Sequence, residues 1–336
     1  MSTLNTNPAT VPDAPSFVPA GRRLDQLRAT LPEVEWLIHA PLIERIQVLK
    51  AERNAVILAH NYQKPEIYHG VADFTGDSLA LAREAARCEA QVIVQCGVHF
   101  MAETSKILAP GKTVLLPDLG AGCSLAASIT GEDVRRLRQR YPGVPVVVYV
   151  NTSAEVKAEA DICCTSSNAV EVVESLGTDR VIFAPDRYLG QWVASQTDID
   201  IILYDGSCEV HEKFSAAEIA TLRAENPGVY VLAHPECPME VLDAADFVGS
   251  TAAMSRQLDK VKTRQVVMIT ECSMSDNVAI EHPELDFIRP CNLCPHMNRI
   301  TLPKIIACLE ILQPEITVPT HIIGRARESV ERMLAV

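Results

Sequence analysis

Spaced leucine, valine and isoleucine with charges between them run from Arg22 to Glu52, as in LDQLRATL and PLIERIQVLKAE. That spacing predicts two short amphipathic helices, a collar over residues 21–54. Beyond it the pattern changes to brief β-branched runs separated by helical stretches. Such alternation predicts parallel α/β units whose strands are buried on both faces. Residues 313–336 return to a helical pattern, and the polar, proline-dotted residues 1–20 read as a flexible N-terminal arm.

The α/β units recur. VILAHNYQKPEIY, TGDSLALAREA, QVIVQCGVHFMAETSKI and TVLLPDLGAGCSLA form a first set of strand ends and following helices. VVVYVNTSAEVKAEAD, CTSSNAVEVVESL, RVIFAPDRYLGQWVA and IILYDGSCEVHEKF repeat the plan, as do YVLAHPECPMEVLDAAD, GSTAAMSRQL, QVVMITECSMSDNVA and DFIRPCNLCPHMNRI. Each set has small hydroxyl residues early and a cysteine late: Cys123, Cys208 and Cys294, spaced 85 and 86 residues apart. A period of that length suits a small α/β subdomain, not a solenoid repeat. The expected fold is therefore α/β, three pseudo-symmetric parallel-sheet subdomains in three-layer αβα form, with repeats at 55–140, 141–226 and 227–312. Parallel sheets bind ligands at the carboxyl ends of their strands. If those ends face inward around a pseudo-threefold axis, the three cysteines converge.

Composition narrows the chemistry. The chain has 336 residues, 30 Lys plus Arg and 43 Asp plus Glu, for a formal charge of -13. That field repels phosphate backbones and anionic membrane surfaces, so neither a nucleic acid nor a membrane is an expected partner. An anionic substrate would have to be met by local groups. No apolar run approaches the roughly 20 residues of a membrane span. The first residues lack the pattern of a secretory signal, so a cytoplasmic location is expected. Eleven cysteines then point to thiols or metal ligands instead of a disulfide framework.

Three converging cysteines are explained by metal, redox chemistry or packing. A structural zinc would want paired C-x-x-C motifs, and Cys291 with Cys294 is a lone pair. A 4Fe-4S cluster held by three cysteines leaves one iron open as a Lewis acid. Cys88, Cys96, Cys163 and Cys308 fit ordinary buried packing, while Cys237, Cys272 and Cys291 stay ambiguous. Gly120 to Ala126 matches G-x-G-x-x-A, but the next strand ends at Asn151 without an acidic ribose ligand. Those glycines read as backbone clearance around a bulky ligand.

Polar residues gather at the same strand ends. The first strands lead to His60, Asn61 and Tyr62, to Tyr149 and Asn151, and to His234 and Glu236, groups suited to proton transfer or anchoring. The second strands lead to Asp77 and Ser78, to Thr165, Ser166 and Ser167, and to Ser250 and Thr251. These are helix caps by default, and Ser166 and Thr251 are expected to contact ligand as well. His211, three residues after Cys208, could support the centre from behind.

Together these motifs resemble the quinolinate synthase (NadA) family from about Ile57 to Leu312. AHNYQ, GDS, FMAETSKIL, GCSLA, YVNTSAEVKA, CTSSNA, CEVHEKF, HPEC, GSTAAM and CNLCPHM carry the resemblance. It implies a triangular three-domain fold around an oxygen-sensitive 4Fe-4S cluster held by Cys123, Cys208 and Cys294. It also implies condensation of iminoaspartate with dihydroxyacetone phosphate to quinolinate, with loss of phosphate and two waters, in NAD biosynthesis. A functional link to an L-aspartate oxidase or dehydrogenase goes with that reaction. By position, the implied catalytic residues are Tyr62, His234 and Glu236. The implied substrate contacts are His60, Asp77, Ser78, Tyr149, Asn151, Ser166 and Thr251. Some relatives end the last motif with a third cysteine, where this chain has Met297. The alternatives are another iron-sulfur dehydratase or reductive dehydroxylase on a similar scaffold, and an iron-sulfur carrier or redox sensor built on the Cys291–Cys294 pair.

Overall fold

A computed structural model describes residues 20–336; apart from Ala20, the arm expected over residues 1–20 lies outside them. Ala20–Thr30 and Glu33–Arg53 form the two helices read from the apolar spacing, and Asn54 ends the second in a left-handed conformation (φ 47). Their buried stripe is Leu27, Ile43, Ile46 and Leu49. Buried Arg23 ties the first helix to the following repeat, donating to the carbonyls of Ala72 and Asp73 and to Thr75 Oγ1.

The strands form three parallel four-stranded sheets. The first holds β1 (Ala55–His60), β2 (Phe74–Gly76), β3 (Val92–Cys96) and β4 (Thr113–Leu115). The second holds β5 (Val146–Tyr149), β6 (Ile162–Cys164), β7 (Arg180–Ala184) and β8 (Asp200–Leu203). The third holds β9 (Tyr230–Ala233), β10 (Phe247–Val248), β11 (Gln265–Ile269) and β12 (Asp286–Ile288). All three share one order, second–first–third–fourth. Within each sheet the chain leaves the first strand toward one edge, then crosses back to the other side. That reversal opens a crevice beyond the carboxyl end of the first strand, the usual ligand position in open parallel sheets.

Burial explains why these short runs are strands. Ile57, Leu58 and Ala59 of β1 and Val146 to Val148 of β5 are fully covered, as expected where helices lie on both faces of a sheet. The first two sheets share one continuous core. The C-terminal helix Thr320–Ala335 closes it, packing on β6 and on the helices Ala154–Glu159 and His99–Leu108. The third sheet keeps a separate core on each face: Val231, Ala233, Val267 and Ile269 on one, Leu232, Val266 and Met268 on the other. This is the two-residue alternation of a strand. The candidate site lies where the carboxyl ends of the three sheets meet. Among the described residues no helix is long and apolar enough to cross a membrane.

Candidate active site

A cavity partly open to solvent lies where the carboxyl ends of the three sheets meet. Its wall carries His60, Tyr62, Asp77 and Ser78 from the first repeat, with Cys123. Tyr149, Asn151, Ser166 and Cys208 come from the second, and His234, Glu236, Thr251 and Cys294 from the third. The residues implied as catalytic, substrate-binding or cluster-holding therefore face one space, whereas Asn61 is buried and donates to Thr251 Oγ1 instead.

The three cysteine loops are built alike. Each follows the last strand of its sheet and docks on the turn after the third strand, through a residue two positions before the cysteine. His99 N–H donates to Ala121 O at 2.8 Å and Arg187 N–H donates to Gly206 O at 2.8 Å. In the third repeat Glu271 and Asn292 form a parallel bridge. Backbone N–H groups of Ala126 and Met297 then reach the sulfurs of Cys123 and Cys294 at 3.5 Å. Neighbouring loops are also stitched together: Glu209 N–H donates to Ser124 Oγ, and the Glu209 carboxylate pairs with His296 at 3.1 Å.

Burial pushes the Cys123 thiol up to about 12 and raises those of Cys208 and Cys294. Three half-buried thiols from three repeats are favoured as thiolates by a positive centre. Their soft sulfur donors around a cavity fit an iron-sulfur group. Cys291 does not join them. It forms a disulfide with Cys272 at a Cα–Cα distance of 5.0 Å, while Cys294 faces the cavity, so the C-x-x-C pair is split between two tasks. The expectation of thiols or metal ligands instead of a disulfide framework thus meets one bridge, between two cysteines that the sequence left ambiguous, 19 residues apart.

A hydrogen-bonded chain crosses the wall beside Cys208. His211 Nδ1 lies 3.0 Å from Glu236 Oε2 and 3.3 Å from Cys208 Sγ, and its Nε2 lies 3.0 Å from Thr270 Oγ1. Thr270 continues to the Tyr62 hydroxyl at 2.7 Å. The Tyr149 hydroxyl donates to Glu236 Oε1 at 2.6 Å, and the His211 and His234 rings stack at 4.7 Å. Cys208, His211 and Glu236 place ligand atoms within 4.8 Å of one another, but each is already engaged in this chain.

Burial alone would raise the Glu236 carboxyl; His211, His234 and Tyr149 outweigh it and hold the group well below the usual carboxylate range. Burial lowers His60 to about 4 and His234 to about 3, so both rings are neutral near pH 7. Tyr62 and Tyr149 are pushed well up, chiefly by burial and secondly by the Glu236 charge, and stay phenols. Glu271 rises to about 7 through burial, although the Cys294 and Ser273 N–H groups oppose the shift. The Glu236 carboxylate thus sits in hydrogen-bonding contact with histidine and tyrosine side chains, an arrangement suited to moving protons.

Hydroxyl residues line the facing side. Asp77 and Ser250 cap their helices, accepting from Ala80 and Ala253 N–H. Ser167 joins all three repeats, donating to Asp77 Oδ2 at 2.5 Å and meeting Ser250 Oγ at 2.8 Å. Its neighbours Thr165 and Ser166 face the cavity. The oxygen of Asn151 is buried without a partner. Gly122 lines the cavity; Gly120 lies beside the Arg299 guanidinium, the movable end of a half-exposed side chain, 2.7 Å from where a Cβ would stand.

The model of the family described as quinolinate synthetase A protein matches residues 44–335. The chain belongs to this family. It is 64% identical over 312 residues to quinolinate synthase 2 of Mesorhizobium japonicum, covering 93% of this chain and 96% of that protein. It is 60% identical over 319 residues to the quinolinate synthase of Agrobacterium fabrum, covering 95% and 92%. With that of Caulobacter vibrioides it shares 61% over 305 residues, covering 90% and 83%. The activity is quinolinate synthesis, an enzymatic step of NAD biosynthesis, and not that of another iron-sulfur dehydratase or dehydroxylase. The family implies an iron-sulfur cofactor and small-molecule substrates.

Within this family member, sequence reasoning placed His211 only behind the cysteine centre, and it left out Thr270, Glu271 and Ser167 as site residues. His211 carried a signal in its spacing from Cys208. Thr270 and Glu271 follow a β-branched strand and look like its end; only their equivalence to the turn after β7 would have marked them.

Proposed function

We propose that Cys123, Cys208 and Cys294 hold a 4Fe-4S cluster and that the cavity condenses iminoaspartate with dihydroxyacetone phosphate. Quinolinate leaves together with phosphate and two waters. One observation carries the reading: side chains from three separate sheets, three thiols among them, line a single cavity. When bound, the cluster supplies a Lewis-acidic iron with one open position for a substrate oxygen.

The chain's own residues do the rest. Ser78, Ser166, Thr251 and the amide nitrogen of Asn151 donate to the phosphate and carboxylate oxygens, a task the net charge of -13 leaves to local donors. Glu236, ionised, takes a proton from carbon or nitrogen during imine formation and tautomerisation. His211 and His234 beside it accept or return that proton, and the chain through Thr270 reaches Tyr62. Neutral His60 and the phenols of Tyr62 and Tyr149 orient the intermediate, with Asp77 fixing the loop before Ser78. The reaction is placed in the cytoplasm, supplied with unstable iminoaspartate by an L-aspartate oxidase or dehydrogenase.

Glu236→Gln is the test. Anaerobically purified variant protein should retain its iron and sulfide and lose at least about a hundredfold in turnover, the range of a general acid–base group. Full turnover with the cluster retained would remove Glu236 from proton transfer.

A further inference from the structure

Lys157 is fully buried within the helix Ala154–Glu159. Its ammonium donates to two backbone carbonyls, Val150 O at 2.8 Å and Thr152 O. Those carbonyls bracket Asn151, the residue that reaches from the end of β5 into the cavity. The Asn151 oxygen is buried and unpartnered, so the protein leaves that end of the amide unused. A buried ammonium is costly unless its hydrogen bonds matter. Here both are spent on the carbonyls of the residues just before and just after one cavity residue.

The same device recurs at the matching place in the first repeat, with a different donor. Asn277 Nδ2, also buried, donates to Asn61 O at 3.0 Å and to Gln63 O at 2.7 Å, the carbonyls that bracket Tyr62. Tyr62 and Asn151 each stand two residues beyond the last residue of their strand, His60 and Tyr149. In the third repeat Glu236, two residues after His234 as Tyr62 is after His60, is held through its carboxylate by Tyr149 and His211 instead. A lysine from within one repeat and an asparagine from a neighbouring repeat thus meet the same geometric demand.

We infer that Lys157 is a positioning residue for the substrate contact of Asn151, fixing the direction of the amide by pinning the peptide that enters Asn151 and the one that leaves Thr152 to one nitrogen. The inference rests on the proposed anchoring role of Asn151. Pinning matters because a displacement of about 1 Å in a substrate contact can cost about a hundredfold in rate.

The test is a kinetic double-mutant cycle on cluster-loaded, anaerobic protein. It uses Lys157→Met, Asn151→Ala and the double variant, with dihydroxyacetone phosphate varied and iminoaspartate generated in situ. Lys157→Met should raise KM more than it lowers kcat, with a loss of about tenfold or more in kcat/KM. In the Asn151→Ala background the same change should cost less than about twofold, because the positioned group is gone. An equal loss in both backgrounds would make Lys157 merely structural and overturn the inference while leaving Asn151 its role. A neutral Asn151→Ala would remove the anchoring reading and the inference with it. If the methionine variant fails to fold, Lys157→Gln, which can reach one carbonyl but not both, enters the same cycle, where a loss confined to the Asn151 background supports the inference and an equal loss in both overturns it.

Discussion

Replacing Tyr149 with phenylalanine removes one hydroxyl and nothing else, and the structure sets what that should cost. The hydroxyl donates to Glu236 Oε1 at 2.6 Å, with Tyr149 5% and Glu236 3% exposed. That separation falls in the range of an O–H donor on an ionised oxygen, roughly 2.5–2.7 Å. Such a bond is worth about 1.5–3 kcal/mol net, against about 0.5–1.5 kcal/mol for a neutral pair. Tyr149→Phe should therefore destabilise the protein by about 1.5–3 kcal/mol while Glu236 is ionised. In a Glu236→Gln background the penalty should fall to about 1 kcal/mol, because the acceptor there is a neutral amide. Urea denaturation of the metal-free protein at pH 7.5, for the two single variants and the double, reads the coupling directly. Equal costs in both backgrounds, within about 0.5 kcal/mol, would mean that Tyr149 senses no charge on Glu236. The ionised base would then have to be given up.

Two further outcomes follow from groups away from the thiols. Ser167→Ala removes the hydroxyl that joins Asp77 and Ser250 across the three repeats, and should lower stability by about 1–3 kcal/mol, read as a fall in the urea midpoint; an unchanged midpoint would deny Ser167 that joining role. Burial lowers His60 from 6.5 to about 4, so between those values the unfolded chain takes up a proton that the folded chain does not. Stability is therefore intact above pH 6.5 and is lost as pH falls toward 4, by up to about 3 kcal/mol from this one group at 1.36 kcal/mol per unit. His60→Asn should flatten that part of the stability–pH curve, and identical slopes in the two proteins would show that His60 is protonated in the fold.

The architecture was legible because its signals are periodic. β-branched runs buried on both faces announce parallel strands, and cysteines 85 and 86 residues apart mark three units before any contact is known. The cavity wall was legible for the same reason: each candidate stands at a fixed place after a strand, and one sheet order repeated three times brings those places together. What stayed hidden depends on contacts that leave no pattern. Lys157 and Asn277 bind backbone carbonyls, and a carbonyl has no residue identity to pair with. Ser167 read as one of several capping hydroxyls, yet its partners are side chains from two other repeats. Gly120 suggested room for a ligand, and the group beside it is Arg299, 179 positions further along the chain. Cys272 and Cys291 meet only because the last cysteine loop folds back on the helix after β11.

Iron and acid-labile sulfide per chain, measured on protein purified without oxygen, test the central claim most directly. The proteins to compare are the unaltered chain, Cys294→Ser and Cys291→Ser. About four iron and four sulfide in the unaltered chain are expected, lost in Cys294→Ser and retained in Cys291→Ser. Zinc or no metal in folded, reduced protein, or a cluster that survives Cys294→Ser and disappears with Cys291→Ser, would contradict a site built on Cys123, Cys208 and Cys294.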